Sequence, residues 1–191
     1  MTKMKRMKPA LLLALLAFSL LLGIPQSVLA HDFDLGLNDP IEITLSDVES
    51  YAHVDGDPFK GWLNLFVSNT GNEAWGDFHF EIYAVGSITN IENVHFLDAT
   101  MTGGLDPISS QTGFVWEIDN DAVGATLDLY FYGDPVLPGE MAQFSVYTDN
   151  QDQLASFGTS FYASPVPVPA AIWLLGSGLA CALGIKMRGR A

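Results

Sequence analysis

Three separated carboxylate clusters carry the oxygen chemistry that hard divalent cations seek: Asp55-Gly56-Asp57, Asp119-Asn120-Asp121 and Asp149-Asn150-Gln151-Asp152. Loops built this way hold calcium, and extracellular ones hold it weakly, at about 10⁻⁴ to 10⁻³ M. Asp55, Asp57, Asp119 and Asp121 are the candidate ligands. EF-hand spacing is absent, because the twelfth position counted from Asp119 is Tyr130 rather than Glu. A solvated acidic loop beside a turn is the plainer reading. No tightly held cofactor is expected, and weak calcium is the one candidate.

Transition-metal and hydrolytic chemistry have thinner support. His31 would offer an α-amino group and an imidazole together if a cut after Ala30 exposed it, and a copper-type brace would then need His53, His79 or His95 as second ligand. Asp77, His79 and Glu81 share one strand face and have the donor types a divalent ion accepts. Trp116-Glu117-Ile118-Asp119-Asn120-Asp121 sets carboxylates on one strand face, as glycoside hydrolysis requires. It faintly resembles the catalytic strand of laminarinase-like jelly-roll enzymes, but Asp121 stands where those enzymes carry Glu. No Gly-x-Ser-x-Gly elbow occurs, so triad catalysis has no motif behind it. Trp62, Phe66, Tyr83, Tyr130, Tyr132 and Tyr147 lie in the strand phase opposite the apolar one. Exposed, they would stack on sugar rings or on another protein; in a two-sheet fold they would be buried instead. The expectation is a protein without enzymatic activity.

The elements that must position these groups lie between two unlike ends. All 22 acidic residues fall between Asp32 and Asp152, where Lys60 is the only lysine or arginine. So acidic a middle disfavours nucleic acid, whose phosphates a Lys/Arg surface must neutralise. The 191-residue chain opens with Lys3, Lys5, Arg6 and Lys8, an apolar run from Ala10 to Gly23, and small residues ending at Ala30. These are the parts of a secretory signal peptide over residues 1–30, with cleavage between Ala30 and His31. At the other end Pro165, Pro167 and Pro169 form a stiff spacer, 16 apolar residues run from Ala170 to Ile185, and Lys186, Arg188 and Arg190 follow. That run nearly spans a bilayer, and the basic cluster keeps its end in the cytoplasm, so the acidic middle faces outward.

The C-terminal order resembles a known sorting signal. Val166-Pro167-Val168-Pro169-Ala170, followed by Trp173-Leu174-Leu175-Gly176-Ser177-Gly178-Leu179 and the basic tail, is similar to the PEP-CTERM family of signals in its Val-Pro-x-Pro-Ala form. The resemblance implies an exported cell-surface or matrix protein of a Gram-negative bacterium, handled by the secretion machinery and processed by a membrane-embedded exosortase. It implies a transient inner-membrane anchor, and often an extracellular-polysaccharide setting. The Pro-Glu-Pro core of the commoner form is missing.

Residues 31–164 read as sheet. Phe78, Phe80, Ile82 and Ala84 alternate with polar neighbours, as do Leu63, Leu65 and Val67, with the turn residues Asn69-Thr70-Gly71-Asn72 between the runs. This predicts a hairpin. Further strands are expected at 41–48, 91–97, 113–118, 126–132, 141–148 and 157–163. The segment from Val67 to Ile82 also resembles segments of other proteins bearing this tail. Eight strands without helical periodicity imply an all-β fold, an antiparallel β-sandwich of immunoglobulin-like or jelly-roll type over 31–164, flanked by the signal peptide and by a sorting segment over 165–191 that holds the Pro-rich motif, a transmembrane helix and the basic tail. The only cysteine, Cys181, lies in the tail, so the domain must hold together without a disulfide.

Overall fold

The structure is a computed structural model that describes residues 32–54, 60–86, 91–120, 124–150 and 156–167. These residues form eleven strands and, among them, no helix. The strands are β1 (Phe33–Leu35), β2 (Ile41–Ile43), β3 (Glu49–Val54), β4 (Lys60–Asn69), β5 (Trp75–Tyr83), β6 (Val94–Leu97), β7 (Ile108–Ser109), β8 (Val115–Asn120), β9 (Ala125–Tyr130), β10 (Met141–Asn150) and β11 (Ser156–Pro165). One sheet has the order β1-β4-β10-β6, with β2 beside β4 and β7 beside β10; the other has the order β3-β11-β5-β9-β8.

The two sheets share one core. Leu63, Leu65 and Val67 of β4 and Phe144 and Val146 of β10 point inward from the first sheet, while Phe78, Phe80, Leu127, Leu129 and Phe161 point inward from the second. The Phe78 and Phe144 rings stack across the gap at 4.5 Å, and Phe80 meets Phe96 edge to face at 6.3 Å. Strict alternation along β4, and alternation from Phe78 onward in β5, give each sheet one dry face.

The predicted hairpin does not form. β4 pairs with β10 and β5 with β11 and β9, so Thr70–Ala74 carries the chain from one sheet to the other. Two one-sided strands can bury their apolar faces by lying in opposite layers, and a local turn does not choose between that and pairing side by side. Asn69 makes the crossing rigid: fully buried, its amide donates to the Glu73 and Val136 carbonyls and its oxygen accepts from the Gly71 N–H.

The wholly antiparallel expectation is corrected as well. β1 and β2 both run parallel to β4, because the chain enters along one edge of β4, breaks at Gly36–Pro40 and continues along the same edge. The single strand expected at 41–48 is split. Asp47 accepts from both the N–H and hydroxyl of Thr44, bending the chain after Ile43, and β3 then joins the other sheet. β3 escapes the apolar pattern because its inward positions are Tyr51 and His53.

Candidate functional site

The densest polar cluster lies on the outer face of the second sheet, where β11, β5 and β9 run side by side. Cross-strand register places Asp128 opposite His79, and Tyr162 opposite His79 on the other side. The His79 ring stacks on Tyr162 at 4.7 Å, its Nδ1 lies 2.6 Å from Asp128 Oδ1, and its Nε2 lies 3.0 Å from Ser164 Oγ and 3.6 Å from Asp77 Oδ1. Tyr132 donates to Asp77 Oδ2 at 3.1 Å, and Tyr130 to Asp128 Oδ2 at 3.4 Å. Asp77 is thereby buried although it belongs to the outward phase of β5.

Burial by itself would lower the His79 pKa, but hydrogen bonds and charge from Asp128 and Asp77 outweigh it and raise the pKa to about 9. The ring is therefore a cation at neutral pH, and both its nitrogens donate. Burial, helped by Asp128 and Asp77, pushes the hydroxyls of Tyr130 and Tyr132 up, so both stay protonated.

Ser164, His79 and Asp128 have the connectivity of a serine-nucleophile triad, an arrangement the sequence could not reveal because its members come from three strands. Two features bear on what these three groups can do. An imidazolium cannot take the Ser164 proton, and triad chemistry needs a neutral base. Around the cluster β5 and β9 are paired on both sides, which commits their N–H groups to the ladders and leaves them unable to donate to an oxyanion. The contacts form a charged clasp that links three strands and holds Tyr132 against Asp77.

Of the four predicted metal ligands the structure describes one. Asp119 is exposed at the end of β8, while Asp55, Asp57 and Asp121 lie outside the described residues. The strand ends leading to these loops share one end of the molecule: Val54 pairs with Ser156, Lys60 with Asp149, and Asn120 with Ala125. Asp149 is held there by Lys60 at 3.1 Å. Among the described residues, no three His, Cys, Asp or Glu side chains converge as a metal site. The brace partners are otherwise engaged: His53 packs between Phe33 and Phe157, His95 donates from Nε2 to the Glu92 carbonyl, and His79 sits in the clasp; His31 and Ala30 lie outside the described residues.

The aromatic candidates divide. Tyr147 is buried, with Trp62 half-buried edge-on against it at 5.2 Å, and Tyr83 covers Gly158. Phe66 lines an open groove of about 320 Å³ with Leu37, Pro40 and Met141. Tyr130 and Tyr132 pair at 6.0 Å, and only Tyr132 of the six is exposed.

Of the sorting segment, Val166 and Pro167 are described; Val168, Pro169, Ala170, Lys186, Arg188 and Arg190 lie outside the described residues. β11 runs on into Pro165, which pairs with Trp75 after a register shift, and the Val166 N–H reaches the Ala74 carbonyl at 3.3 Å. Gly76 makes the crossing feasible: a Cβ there would stand 2.8 Å from Val166 Cα and 2.7 Å from the Tyr132 ring. The fold thus takes up two residues that the sequence assigned to the tail. The chain matches no family model, and neither a curated protein nor a solved structure is similar to it.

Proposed function

We propose that the chain is the precursor of an exported, non-enzymatic cell-surface or extracellular-matrix protein of a Gram-negative bacterium, sorted and processed by an exosortase through its C-terminal signal. The observation that carries this reading is the join at Pro165–Val166. The acidic domain closes with β11, and the Val-Pro-Val-Pro-Ala segment begins at the next residue, so domain and signal abut without a linker. The domain itself is a β-sandwich in this reading. The chain passes from one sheet to the other at most of its connections, with β8–β9 the adjacent hairpin, which favours the jelly-roll type over the immunoglobulin type. Mass spectrometry of the surface-exposed form is expected to find a chain that begins at His31 and lacks Lys186, Arg188 and Arg190. A mature form still ending in Arg190 and Ala191 would overturn tail removal.

A second reading, an extracellular carbohydrate- or calcium-binding module, draws on the Tyr130–Tyr132 pair, the half-buried Trp62 and Phe66, and the shared end at which the strands leading into the acidic segments stop. Glycan arrays with and without calcium, paired with melting curves, separate the two. Retention of a neutral polysaccharide, or a rise in Tm with millimolar calcium, would favour the binding module; neither effect is expected of a purely structural matrix protein.

A further inference from the structure

Eight large apolar side chains are exposed among the described residues, and they are not scattered. Six of them, Leu37, Val48, Val115, Tyr132, Leu137 and Met141, occupy the half of the molecule from which the chain departs at Val166. Strand register fixes the placement. Met141 opens β10 opposite Ser68, next to the Asn69 end of β4; Leu137 follows Val136, which is bridged to Trp75; Val115 opens β8 opposite Tyr130. Tyr132 lies over Gly76 beside Val166. Val48 stands in the connection that crosses between the sheets after Ile43, which pairs with Asn69, and Leu37 shares the groove with Met141 and Phe66.

Charge at this end disfavours an anionic partner. Glu42, Glu73 and Glu140 are exposed there, Asp47 and Asp134 are tied back onto Thr44 and Thr112, and the lone described lysine sits at the opposite end. Anionic surfaces are repelled, and among the described residues this end has no lysine or arginine to attract them. What remains is apolar area ringed by carboxylates.

Covalent reach decides what covers it. Four residues separate Pro165 from Ala170, five steps along the chain that span at most about 18 Å even fully extended. The headgroup layer is about 5–8 Å deep on each side. If residues 170–185 enter a bilayer, the belt cannot stand far from lipid, and tethering gives that surface an effective concentration that a free partner rarely matches.

We infer that the apolar belt around the Val166 end of the domain docks on the outer surface of a zwitterionic bilayer, seating the domain on the membrane while its tail is held there. This rests on the membrane-tail reading above, and the test keeps the two apart.

The full chain is reconstituted into phosphatidylcholine vesicles with an environment-sensitive dye on one cysteine at a time. Native Cys181 reports the tail; in a Cys181→Ala background, Leu137→Cys and Met141→Cys report the belt and Leu105→Cys the remaining surface. A quencher placed just below the headgroups is expected to remove about half of the emission at positions 137 and 141, the depth that interfacial side chains reach, and little at 105. Quenching at Cys181 from the acyl core with silence at 137 and 141 would overturn docking and leave the tail reading intact. Silence at all three would overturn both. Belt dyes that respond to protein concentration and not to the lipid quencher would assign the belt to a second copy of the chain, which also overturns the inference.

Discussion

Phe78→Ala is expected to destabilise the domain by about 3–5 kcal/mol and lower its Tm by roughly 10–20 °C. Phe78 is fully buried and its ring contacts Trp75, Phe80, Phe144 and Phe161, so it joins three strands of the two sheets at one point. Alanine removes the ring and leaves a void whose walls belong to paired β-strands. Their backbones cannot move inward without breaking ladders, so the void stays open. No disulfide limits the loss, since the only cysteine is in the tail. Thermal melting of the variant beside Val115→Ala, an exposed position where a change within about 0.5 kcal/mol is expected, checks the claim. A Phe78→Ala protein melting within about 3 °C of the parent would mean that the sheets do not meet through this ring.

His79→Gln should produce the second-largest effect, and it carries a pH signature. The folded pKa of about 9 lies above the ordinary histidine value of 6.5. The folded state therefore binds a proton more tightly than the unfolded chain. Its contribution is fully present below pH 6.5 and is lost as pH rises through about 9. A shift of this size corresponds to about 3 kcal/mol, and with solvent reaching part of the ring we expect about 2 kcal/mol, or roughly 6–10 °C in Tm. The glutamine amide would keep a donor but not the charge, leaving Asp77 and Asp128 on one face without their cation. The gap in Tm between parent and variant should be widest near pH 6 and close toward about pH 10. A gap of constant size across that range would show that the imidazole is held neutral, and would return Ser164, His79 and Asp128 to consideration as a triad.

The strand content is legible because alternation is a local property. Leu63, Leu65 and Val67 and Phe78, Phe80 and Ile82 declare a dry face whatever they pack against, and all six are buried. The same pattern says nothing about which strand lies next to which, and so the turn residues at 69–72 point to a hairpin that the fold does not contain. Strands such as β3 are hidden for a related reason: Tyr51 and His53 fill inward positions near the sheet edge, where a polar atom can still find a partner, and this breaks the apolar period. The parallel placement of β1 and β2 has no short-range signal, because parallel partners are distant in sequence.

Legibility at the sites follows the same division. The acid-rich middle, the single internal lysine, the absence of cysteine from the domain and the two unlike ends are compositional facts that the chain carries before it folds. The grouping of Ser164, His79 and Asp128, the raised basicity of His79, the burial of Asp77 beneath Tyr132 and the gathering of six exposed apolar side chains at the Val166 end all depend on strand order. The hydrogen bonds that build the clasp join residues between 49 and 85 positions apart, and the belt draws on several connections at once. One-dimensional pattern reports which face of a strand is dry. Only cross-strand register, set by how two one-sided sheets close on a common core, decides which polar groups become neighbours on the faces left wet.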